Sequence, residues 1–508
     1  MDLPIVLNRD INIPLKRQLY DEIRRLILCG IWAPGYKLPS TRILAEKLDI
    51  SRPTIHWAFA ELLNEGYIQT FTGSGTIVSR DLPDELLQAS KTTKSKTAKQ
   101  SDVALLLSNC GEYLSNQGKL GDQLGYATGG RPEKESKRFA MDFRETPPSL
   151  VHFPINVWQK LLAENWRKAQ SLINYTQSAK GYYPLRQAIA EYVFKARAIR
   201  CQPEQVIICG GTQQALNLIA RVHLNIKDAV AIEDPGYNGA RYAFQSYGAQ
   251  VWPVPVDELG LDTNTLDALS TIKFKLLYLT PSHQVPLGSV LSLARRLKVI
   301  HWAKQNNSII IEDDFDGEWR YAGNPIPALA ALDDNGQSVI YVRTFSKALF
   351  PALRIGYIVV PENLVDIYTW AKSLDDRFSP LLEQMVLADF ISSGNFEKYM
   401  RRMRKVYGNK RKILEEALKE HFGDAVNILG ESAGISLAVR FKTNLDDETI
   451  IKELAKVGVG LRSTSRDYLA DTYTKSEFFM GYGNVDEKLI AQGVRKMAQV
   501  ILGDKSTK

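Results

Sequence analysis

Residues that mark secreted, metal-binding and membrane proteins are scarce in this sequence. Only four of its 508 residues are cysteine, and they show neither a C-x-x-C spacing nor a companion cluster of histidines. Such usage is typical of reduced thiols in a cytoplasm, and it predicts neither disulfides nor a metal site. The chain also lacks an apolar run of about 18 residues and a basic-then-apolar leader. We therefore expect a cytoplasmic protein that is neither secreted nor embedded in a membrane.

A strong excess of one charge is also missing. The formal net charge is +7, with 44% hydrophobic and 24% charged residues, which is typical of an ordinary globular protein. A mildly basic balance is compatible with nucleic-acid binding but does not require it. The length of 508 residues exceeds what one hydrophobic core supports, so we expect two or three domains.

Residues 1–80 are predicted to form a small helical domain that ends in a β-hairpin. Ser40 and Ser51 are placed to cap two helices, and Pro53 falls in the first turn of the second, where its missing N–H does no harm. The stretch "YIQTFTGSGTIVS" alternates like two short strands around a Gly-Ser-Gly turn. Helical spacing predicts that these apolar residues face the core: Leu15, Leu19, Ile23, Leu26, Ile27, Ile43, Leu44 and Leu48.

The rest of the chain divides into a linker and a larger domain. Residues 81–120 include "ASKTTKSKTAKQSD", which is rich in Ser, Thr and Lys and predicts a flexible linker. Residues 121–503 alternate short β-branched runs with helical segments, which predicts an α/β domain with a largely parallel sheet. Within it, residues from about 381 to 503 carry long helices and few strands, as in a smaller α+β part.

Two short helices joined by a tight turn and followed by a hairpin form the winged helix-turn-helix arrangement, whose second helix enters the major groove. Arg52 could clamp a phosphate or the edge of a guanine, and the hydroxyls of Ser51 and Thr54 suit phosphate oxygens. A small helical domain that merely packs would show similar periodicity. The candidate DNA-contacting residues on the helices and the wing are Arg42, Ser51, Arg52, Thr54, His56, Gly73, Ser74, Gly75 and Thr76.

The stretch "LPSTRILAEKLDISRPTIHWAFAELLNEGYIQTFTGSGTIV", from Leu38 to Val78, decides between these interpretations. It resembles the GntR family of bacterial repressors, whose signature runs LPS-x-R-x-LA-x-x-L-x-x-SR-x-T-V, then L-x-x-EGY and a G-x-GT-x-V wing. Pro53 departs from that family, which usually has Asn there. The resemblance implies a winged helix DNA-binding domain with operator DNA as its partner.

Three polar motifs follow predicted strands in the larger domain. After "QVIIC" a Gly-Gly-Thr turn opens a helix, where the backbone N–H groups of Gly211, Thr212 and Gln213 would cradle a phosphate. The run "SIIIED" ends at the carboxylate of Asp313, and the run "SVIYVR" precedes Lys347. We expect these groups to meet in the crevice outside the carboxyl ends of the strands.

Taken singly these motifs are weak, because a lysine in a loop is usually a solvated surface residue. Together they meet the needs of pyridoxal phosphate, which requires a lysine to hold its aldehyde as an imine and an acid to keep its pyridinium protonated. The cofactor also needs a phosphate cup, to which Thr344 and Arg354 are further candidates. Tyr237 in "EDPGYNGAR" is placed to stack on the ring.

The order GGTQ, EDPGY, TPSHQ-x-P-x-G, EDDFD and TFSKALFPALRIGY resembles fold-type I aminotransferases. Within them it is similar to the MocR family, in which a GntR head is fused to an aminotransferase-like body. The resemblance covers nearly the whole chain except the linker. It implies that Lys347 forms the imine, that Asp313 pairs with the pyridinium and that Tyr237 stacks on the ring. It also implies a homodimer in which Tyr175 reaches the phosphate site of the neighbouring subunit.

Some positions depart from working aminotransferases, which usually hydrogen-bond the cofactor's phenolic oxygen through an Asn-Pro loop and a Tyr near the pyridinium Asp. Here Val285 precedes the proline and Phe315 takes the place of the Tyr, and neither side chain can donate that bond. His283 or Gln284 is the candidate replacement. Phe479 stands where these enzymes often have the arginine that binds the substrate carboxylate. The remaining candidates for binding an effector carboxylate are Arg462, Arg466 and Arg241.

These features predict a homodimeric transcriptional regulator that binds operator DNA through its winged heads and pyridoxal phosphate through its body. Exchange of the imine at Lys347 with an amine or amino acid effector would alter DNA binding. One alternative is an active aminotransferase with an appended head, which the departures disfavour, so we expect at most weak transaminase activity. The other alternative is a regulator that senses the cofactor alone.

Overall fold

The computed structural model describes residues 4–9, 13–71, 75–80, 82, 107–115, 139–144, 147–169, 178–321, 326–430, 433–470 and 472–503. The chain divides into two compact units, Met1–Val103 and Ala104–Lys508. None of the helices in the described part of the chain combines the length and the apolar character needed to cross a membrane.

The first unit contains the helices and strands that the sequence predicts. They are α1 (Leu15–Leu28), α2 (Thr41–Leu48), α3 (Arg52–Asn64), β1 (Ile68–Phe71) and β2 (Gly75–Val78). The hydroxyl oxygen of Ser40 accepts a hydrogen bond from the backbone N–H of Ile43, and that of Ser51 accepts one from Thr54, as expected of N-caps. The prediction that Ile43 faces inward is wrong, since its side chain is 47% exposed while the adjacent Leu44 is fully buried.

The β-hairpin of this unit is extended by a third stretch of backbone. Strands β1 and β2 are antiparallel, with Phe71 opposite Gly75. Leu38 donates its backbone N–H to the carbonyl of Thr76 at 2.9 Å, and Val78 donates to Tyr36 at 2.9 Å. The segment before α2 therefore pairs with β2, which holds the hairpin against the helices.

The second unit begins, in its described part, with a helical stretch at residues 109–115, which belongs to the segment predicted to be a flexible linker. The hydroxyl of Tyr113 donates a hydrogen bond to the side-chain oxygen of Gln245 at 2.8 Å. This part of the segment is therefore helical rather than irregular, because it has an aromatic anchor that the Ser/Thr/Lys-rich stretch lacks. The remainder of the predicted linker, apart from residues 82, 107 and 108, lies outside the described residues.

The larger unit alternates strands and helices along most of its length. Its helices are α4 (Ile155–Ala169), α5 (Tyr183–Arg197), α6 (Thr212–His223), α7 (Asn238–Ser246), α8 (Thr263–Ala268), α9 (Leu293–Asn306), α10 (Leu329–Leu332), α11 (Val365–Asp375), α12 (Leu381–Ser392), α13 (Asn395–Phe422), α14 (Asp447–Lys456) and α15 (Glu487–Leu502). Its strands are β3 (Met141–Asp142), β4 (Val206–Cys209), β5 (Ala229–Asp234), β6 (Gln250–Asp257), β7 (Gly260–Leu261), β8 (Phe274–Leu279), β9 (Ile309–Asp313), β10 (Val339–Thr344), β11 (Gly356–Val359), β12 (Val426–Leu429), β13 (Ser436–Phe441), β14 (Val459–Gly460), β15 (Arg462–Ser463) and β16 (Glu477–Gly481).

An eight-stranded sheet forms the centre of this unit, in the order β4-β11-β10-β9-β8-β5-β6-β7. Strands β10, β9, β8, β5 and β6 are parallel to one another, whereas β11 is antiparallel to β10 and β4, and β7 is antiparallel to β6. Helices α6, α7 and α11 pack with one face of the sheet, and α8 and α9 pack with the other. Because helices cover both faces of the sheet, its strands are largely apolar rather than alternating between apolar and polar residues. The predicted α/β fold is confirmed.

The carboxyl-terminal part of this unit has its own sheet. Strands β12, β13, β16 and β15 form a four-stranded antiparallel sheet, beside which β14 pairs with β3. The long helix α13 and the last helix α15 pack in the same core as this sheet. Long helices with few strands match what the sequence predicts for this region.

Candidate cofactor site and DNA-binding surface

The carboxyl ends of several strands meet at one edge of the central sheet. Strands β5, β8, β9 and β10 run in one direction, and β4 shares it because β11 is antiparallel to both β4 and β10. Tyr237 follows β5, Asp313 ends β9, and Lys347 follows β10. The Gly-Gly-Thr turn after β4 opens α6 at the same edge, with Gly211 as its N-cap. The fold therefore brings together groups that lie more than a hundred residues apart in the sequence.

Two adjacent carboxylates at the end of β9 have different surroundings. Asp314 is paired with the guanidinium of Arg197 at 2.8 Å and lies 3.7 Å from that of Arg343. Asp313 has no ion pair among the described residues, and its Oδ1 atom is buried without a hydrogen-bond partner there. Asp313 is thus the carboxylate that is placed to receive a cation.

The surroundings of Asp313 raise the pKa of its carboxyl group. Burial raises the pKa of Asp313 to about 7, and the nearby carboxylates of Asp314, Asp316 and Glu233 add to this effect. The hydroxyl of Tyr278 on β8 donates a hydrogen bond to the Oδ2 atom of Asp313 at 2.9 Å and partly opposes the shift. A protonated ring nitrogen beside Oδ1 would compensate this buried charge, so Asp313 fits a pyridinium.

The turn between β4 and α6 has the features of an anion cup. Gly211 has φ +116°, which favours glycine, and a Cβ atom there would lie 3.5 Å from a guanidinium nitrogen of Arg354. The hydroxyl oxygen of Thr212 is buried without a hydrogen-bond partner in the described structure. Thr344 accepts a hydrogen bond from the backbone N–H of Ser346 at 3.1 Å, which shapes the loop that leads to Lys347. Backbone N–H groups, a hydroxyl and a guanidinium thus converge where a phosphate would be held.

The aromatic candidate Tyr237 is the N-cap residue of α7. It is half-buried at the start of α7 and packs beside the cluster that contains Tyr278. Burial raises the pKa of Tyr278 well above its usual range, and both Asp313 and Tyr237 contribute to that shift. Tyr237 therefore lies close to the Asp313–Tyr278 pair, as a ring that stacks on the cofactor must.

The two candidates to replace the missing phenolic-oxygen donor are both buried and engaged. His283 Nδ1 lies 2.9 Å from a carboxylate oxygen of Asp316, while its Nε2 atom has no hydrogen-bond partner among the described residues. The side-chain nitrogen of Gln284 donates to the carbonyls of Pro235 and Val285, at 2.7 and 2.8 Å. Gln284 therefore serves to hold its loop, and His283 is the one of the two with a ring nitrogen still available.

The three candidate effector arginines lie in or contact one loop, residues 465–470. Arg462 donates to the buried carboxylate of Asp467 at 2.6 Å, and its guanidinium lies 4.6 Å from the ring centre of Phe479. Arg241 donates to the carbonyl of Tyr468 at 3.3 Å, and Arg466 is exposed. The structure therefore gives Arg462 and Arg241 protein partners of their own, which weakens their candidacy as carboxylate receptors.

The same loop is attached to the turn that carries Tyr237. Asp234 accepts hydrogen bonds from the backbone N–H groups of Leu469 and Ala470, at 2.6 and 3.1 Å. The side chain of Asn238 donates to the Asp467 carboxylate at 3.1 Å. The carboxyl-terminal part of the unit is thereby joined to the predicted stacking ring, at a place that the sequence does not single out.

Several predicted DNA-contacting residues are exposed in the first unit. Arg52 and His56 are exposed on α3, and Arg42 is exposed on α2. The hydroxyls of Ser51 and Thr54 lie 2.8 Å apart at the start of α3. Gly75, with φ +93°, begins β2 at the wing. Gly73 and Ser74 of the wing tip lie outside the described residues, as does Tyr175 of the body.

Lys37 is a basic residue of this surface that the sequence analysis missed. A Cβ atom on Gly75 would lie 3.2 Å from Lys37 Cε, so the lysine side chain runs beside the wing. Lys37 also forms a β-bridge with Ile77. The only sequence signal was a basic residue in the break "PGYKLPS", which does not reveal the pairing with β2.

Comparison with known proteins agrees with both parts of the chain. Residues 15–78 match the family described as bacterial regulatory proteins of the gntR family, and residues 148–472 match aminotransferase class I and II. The probable rhizopine catabolism regulatory protein MocR of Rhizobium meliloti is 34% identical over 503 residues, which cover 99% of this chain and 97% of that protein. The chain belongs to the MocR-type family of transcriptional regulators.

Other similar proteins relate this MocR-type regulator to regulators and enzymes alike. The HTH-type pyridoxine biosynthesis transcriptional regulator PdxR of Corynebacterium glutamicum is 29% identical, covering 96% of both chains. Kynurenine aminotransferase of Pyrococcus horikoshii, solved in complex with PMP, is 28% identical with a TM-score of 0.70, covering 80% of this chain and 99% of that one. The body of the MocR-type regulator thus has the aminotransferase fold, joined to a DNA-binding head.

Proposed function

We propose that this regulator binds operator DNA through α3 and the wing, and that its body holds pyridoxal phosphate at the sheet edge described above. The observation that carries the second part is Asp313, a buried carboxylate without a cation among the described residues, at the same edge as Lys347 and the anion cup. When bound, pyridoxal phosphate supplies an aldehyde that combines with amines and a ring that draws in electrons.

Each residue of the edge has a defined task in this proposal. Lys347 attaches the cofactor, Asp313 keeps the proton on the ring nitrogen, and Tyr237 covers one face of the ring. The backbone N–H groups of Gly211, Thr212 and Gln213, with Thr344 and Arg354, hold the phosphate. His283, whose Nε2 atom has no hydrogen-bond partner among the described residues, is the candidate to contact the phenolic oxygen. Because its Nδ1 atom faces the Asp316 carboxylate and carries the proton, Nε2 donates to that oxygen only when the ring is doubly protonated.

The regulator acts as a homodimer in which an amine or amino acid changes DNA binding by competing for the cofactor at Lys347. Two heads per dimer would bind paired half-sites. The family resemblance supports the dimer, with Tyr175 of the partner subunit completing the phosphate cup. An effector shifts the operator affinity only by as much as it distinguishes the two states of the protein.

The sensing proposal is tested by titrating operator binding with pyridoxal phosphate alone and then with candidate amines. A shift that requires both cofactor and amine supports an amine sensor, whereas a full shift with cofactor alone indicates a cofactor sensor. An operator affinity that responds to neither would contradict both. Assaying a keto acid acceptor in parallel tests for transaminase activity, which we expect to be weak because Val285, Phe315 and Phe479 depart from working enzymes.

Arg52→Ala is expected to weaken operator binding by roughly 1–3 kcal/mol, because an exposed arginine at the start of the recognition helix contacts a base edge or a phosphate. The measurement is the dissociation constant for a duplex that the full chain selects from a random pool, at several salt concentrations. A loss that is uniform across sequences would assign Arg52 to phosphate, and relaxed selectivity would assign it to a base.

The matched control for this variant is Arg25→Ala on α1. The guanidinium of Arg25 is paired with Glu22 at 2.7 Å, and Arg25 is not among the predicted DNA-contacting residues. It should leave operator affinity unchanged. Equal losses in the two variants would show that Arg52 acts only through overall charge.

A further inference from the structure

Two consecutive glutamines lie in the first turn of helix α6, and their side chains have different hydrogen-bond partners. Gln213 is exposed and donates its side-chain N–H to the carbonyl of Gly239 at 3.0 Å. The side-chain oxygen of Gln214 accepts the backbone N–H of Gly210 at 2.6 Å. Gly210 is the first residue of the turn that forms the anion cup. Gln214 therefore holds the cup through the backbone of Gly210.

The other end of the Gln214 amide points at two carboxylates. Its nitrogen donates to Asp375 at 2.6 Å and to Asp376 at 3.0 Å, at the end of α11 and just beyond it. An amide whose nitrogen faces carboxylates and whose oxygen faces an N–H group has one favourable orientation, because the flipped amide would oppose like groups at both ends. The amide is thus oriented by charge as well as by packing.

The two carboxylates are themselves held in place. Lys372 is fully buried, and its ammonium donates to Asp376 and, at 3.2 Å, to the hydroxyl of Ser379. The guanidinium of Arg221 on α6 lies 3.7 Å from Asp375. Each carboxylate therefore has a nearby cation, which makes the end of α11 a fixed support for the Gln214 amide.

We propose that Gln214, oriented by Asp375 and Asp376, is a positioning residue for the phosphate cup of the cofactor site. It touches no part of the cofactor itself. It fixes the Gly210–Gly211 turn so that the backbone N–H groups at the start of α6 point at the phosphate. This inference rests on the proposed function, because it assumes that pyridoxal phosphate is bound at this edge.

The test compares the affinities of the full chain for pyridoxal phosphate and for pyridoxal, which has the same aldehyde and ring but no phosphate. Gln214→Glu keeps the size of the side chain and its acceptor oxygen but puts a negative charge against two carboxylates. We expect the ratio of the two affinities to fall roughly tenfold, because the hydrogen bonds to charged groups are lost. The affinity for pyridoxal alone should hardly change.

Two further variants separate positioning from general damage. Asp375→Asn in the Gln214→Glu background offers the new carboxylate a donor and should restore part of the ratio. Gln187→Glu on α5 is the matched control, because that glutamine also donates to a carboxylate, Glu191, at 3.2 Å, on a helix that contributes no residue to the cup. It should leave the ratio unchanged. Thermal unfolding of the cofactor-free variants reports any loss of stability separately.

The results for pyridoxal phosphate and pyridoxal separate the positioning role of Gln214 from the proposed binding of the cofactor. If the unmodified chain binds neither compound, the proposed function fails and the inference fails with it. If the unmodified chain prefers pyridoxal phosphate but Gln214→Glu leaves that preference intact, or lowers both affinities equally, the proposed function stands and the positioning role of Gln214 is wrong.

Discussion

Replacing Lys347 with alanine is expected to abolish the visible absorption band that pyridoxal phosphate acquires on binding to this protein. The band depends on covalent attachment of the cofactor's aldehyde to an amine, and Lys347 is the lysine that β10 delivers to the edge of the central sheet beside Asp313. Alanine leaves the ring and phosphate contacts in place but offers no amine. The spectrum of the purified full chain mixed with the cofactor, with and without the substitution, is the measurement.

Lys298→Ala is the matched control for this experiment, because that lysine is exposed on α9, on the other face of the sheet from α6. It should retain the full band. Persistence of the band in Lys347→Ala would show that another amine carries the cofactor, and its loss in both variants would show that the loss is not specific to Lys347. A band that is lost only in Lys347→Ala should be accompanied by loss of any operator response to amines.

Asp313→Asn is expected to stabilise the cofactor-free protein near neutral pH and to lower its affinity for the cofactor. Burial raises the pKa of Asp313 from 3.8 to about 7 in the folded chain, so the folded state binds a proton that the unfolded chain has released. Stability therefore falls as the pH rises from about 4 to about 7, since the folded state holds more protons across this window. The full penalty above that window is on the order of 4 kcal/mol, at about 1.4 kcal/mol for each pH unit.

Asparagine keeps the shape of Asp313 and can still accept the hydrogen bond from Tyr278 but does not ionise. Chemical denaturation of the cofactor-free variant between pH 5 and 8 should accordingly show a weaker fall in stability than the unmodified chain. Part of the remaining slope would come from Glu233, whose pKa burial also raises to about 7, and part from Glu312 and Asp467, whose pKa values burial raises too. With cofactor present the order reverses, because asparagine cannot hold the proton on the ring nitrogen.

Substitution of the neighbouring Asp314 is a control for which the opposite change in stability is expected. It is ion-paired with Arg197 and lies near Arg343, so Asp314→Asn leaves buried guanidinium charge without its partner. Such a change typically costs about 3–5 kcal/mol at any pH near neutral. If Asp313→Asn were destabilising to a similar degree at pH 7 and above, Asp313 would be paired in solution and its role as the pyridinium partner would be contradicted.

Much of the fold follows from local sequence patterns. The runs before Gly211, Asp313 and Lys347 are strands as predicted, because the short uninterrupted apolar runs VIIC, III and VIYV suit a sheet covered on both faces. Ser40 and Ser51 cap helices as predicted, because an N-cap acts within its own turn. The prediction that Ile43 is buried was wrong. Helical spacing identifies the apolar side of a helix, but in a helix of eight residues it does not show which of the apolar residues pack against the core.

The contacts that define the site were not predictable in this way. Tyr278 donates to Asp313 from a neighbouring strand, and the order of strands in the sheet decides that they meet. Gln214 and Asp376 are 162 residues apart, and the Asn238–Asp467 contact spans 229 residues. No periodicity or spacing in the sequence connects such pairs.

The sequence by itself therefore determined the kinds of chemistry that this protein carries: a winged head with basic residues, an aminotransferase-like body, a lysine, a carboxylate, an aromatic ring and a glycine turn, each at the end of a strand or the start of a helix. The tertiary structure alone decided which carboxylate lacks a cation among the described residues, which arginines already have partners, and how the phosphate cup is supported. The reason is physical. Backbone conformation responds to neighbours along the chain, whereas the charge, burial and acidity of a side chain depend on groups that reach it only through the packed fold.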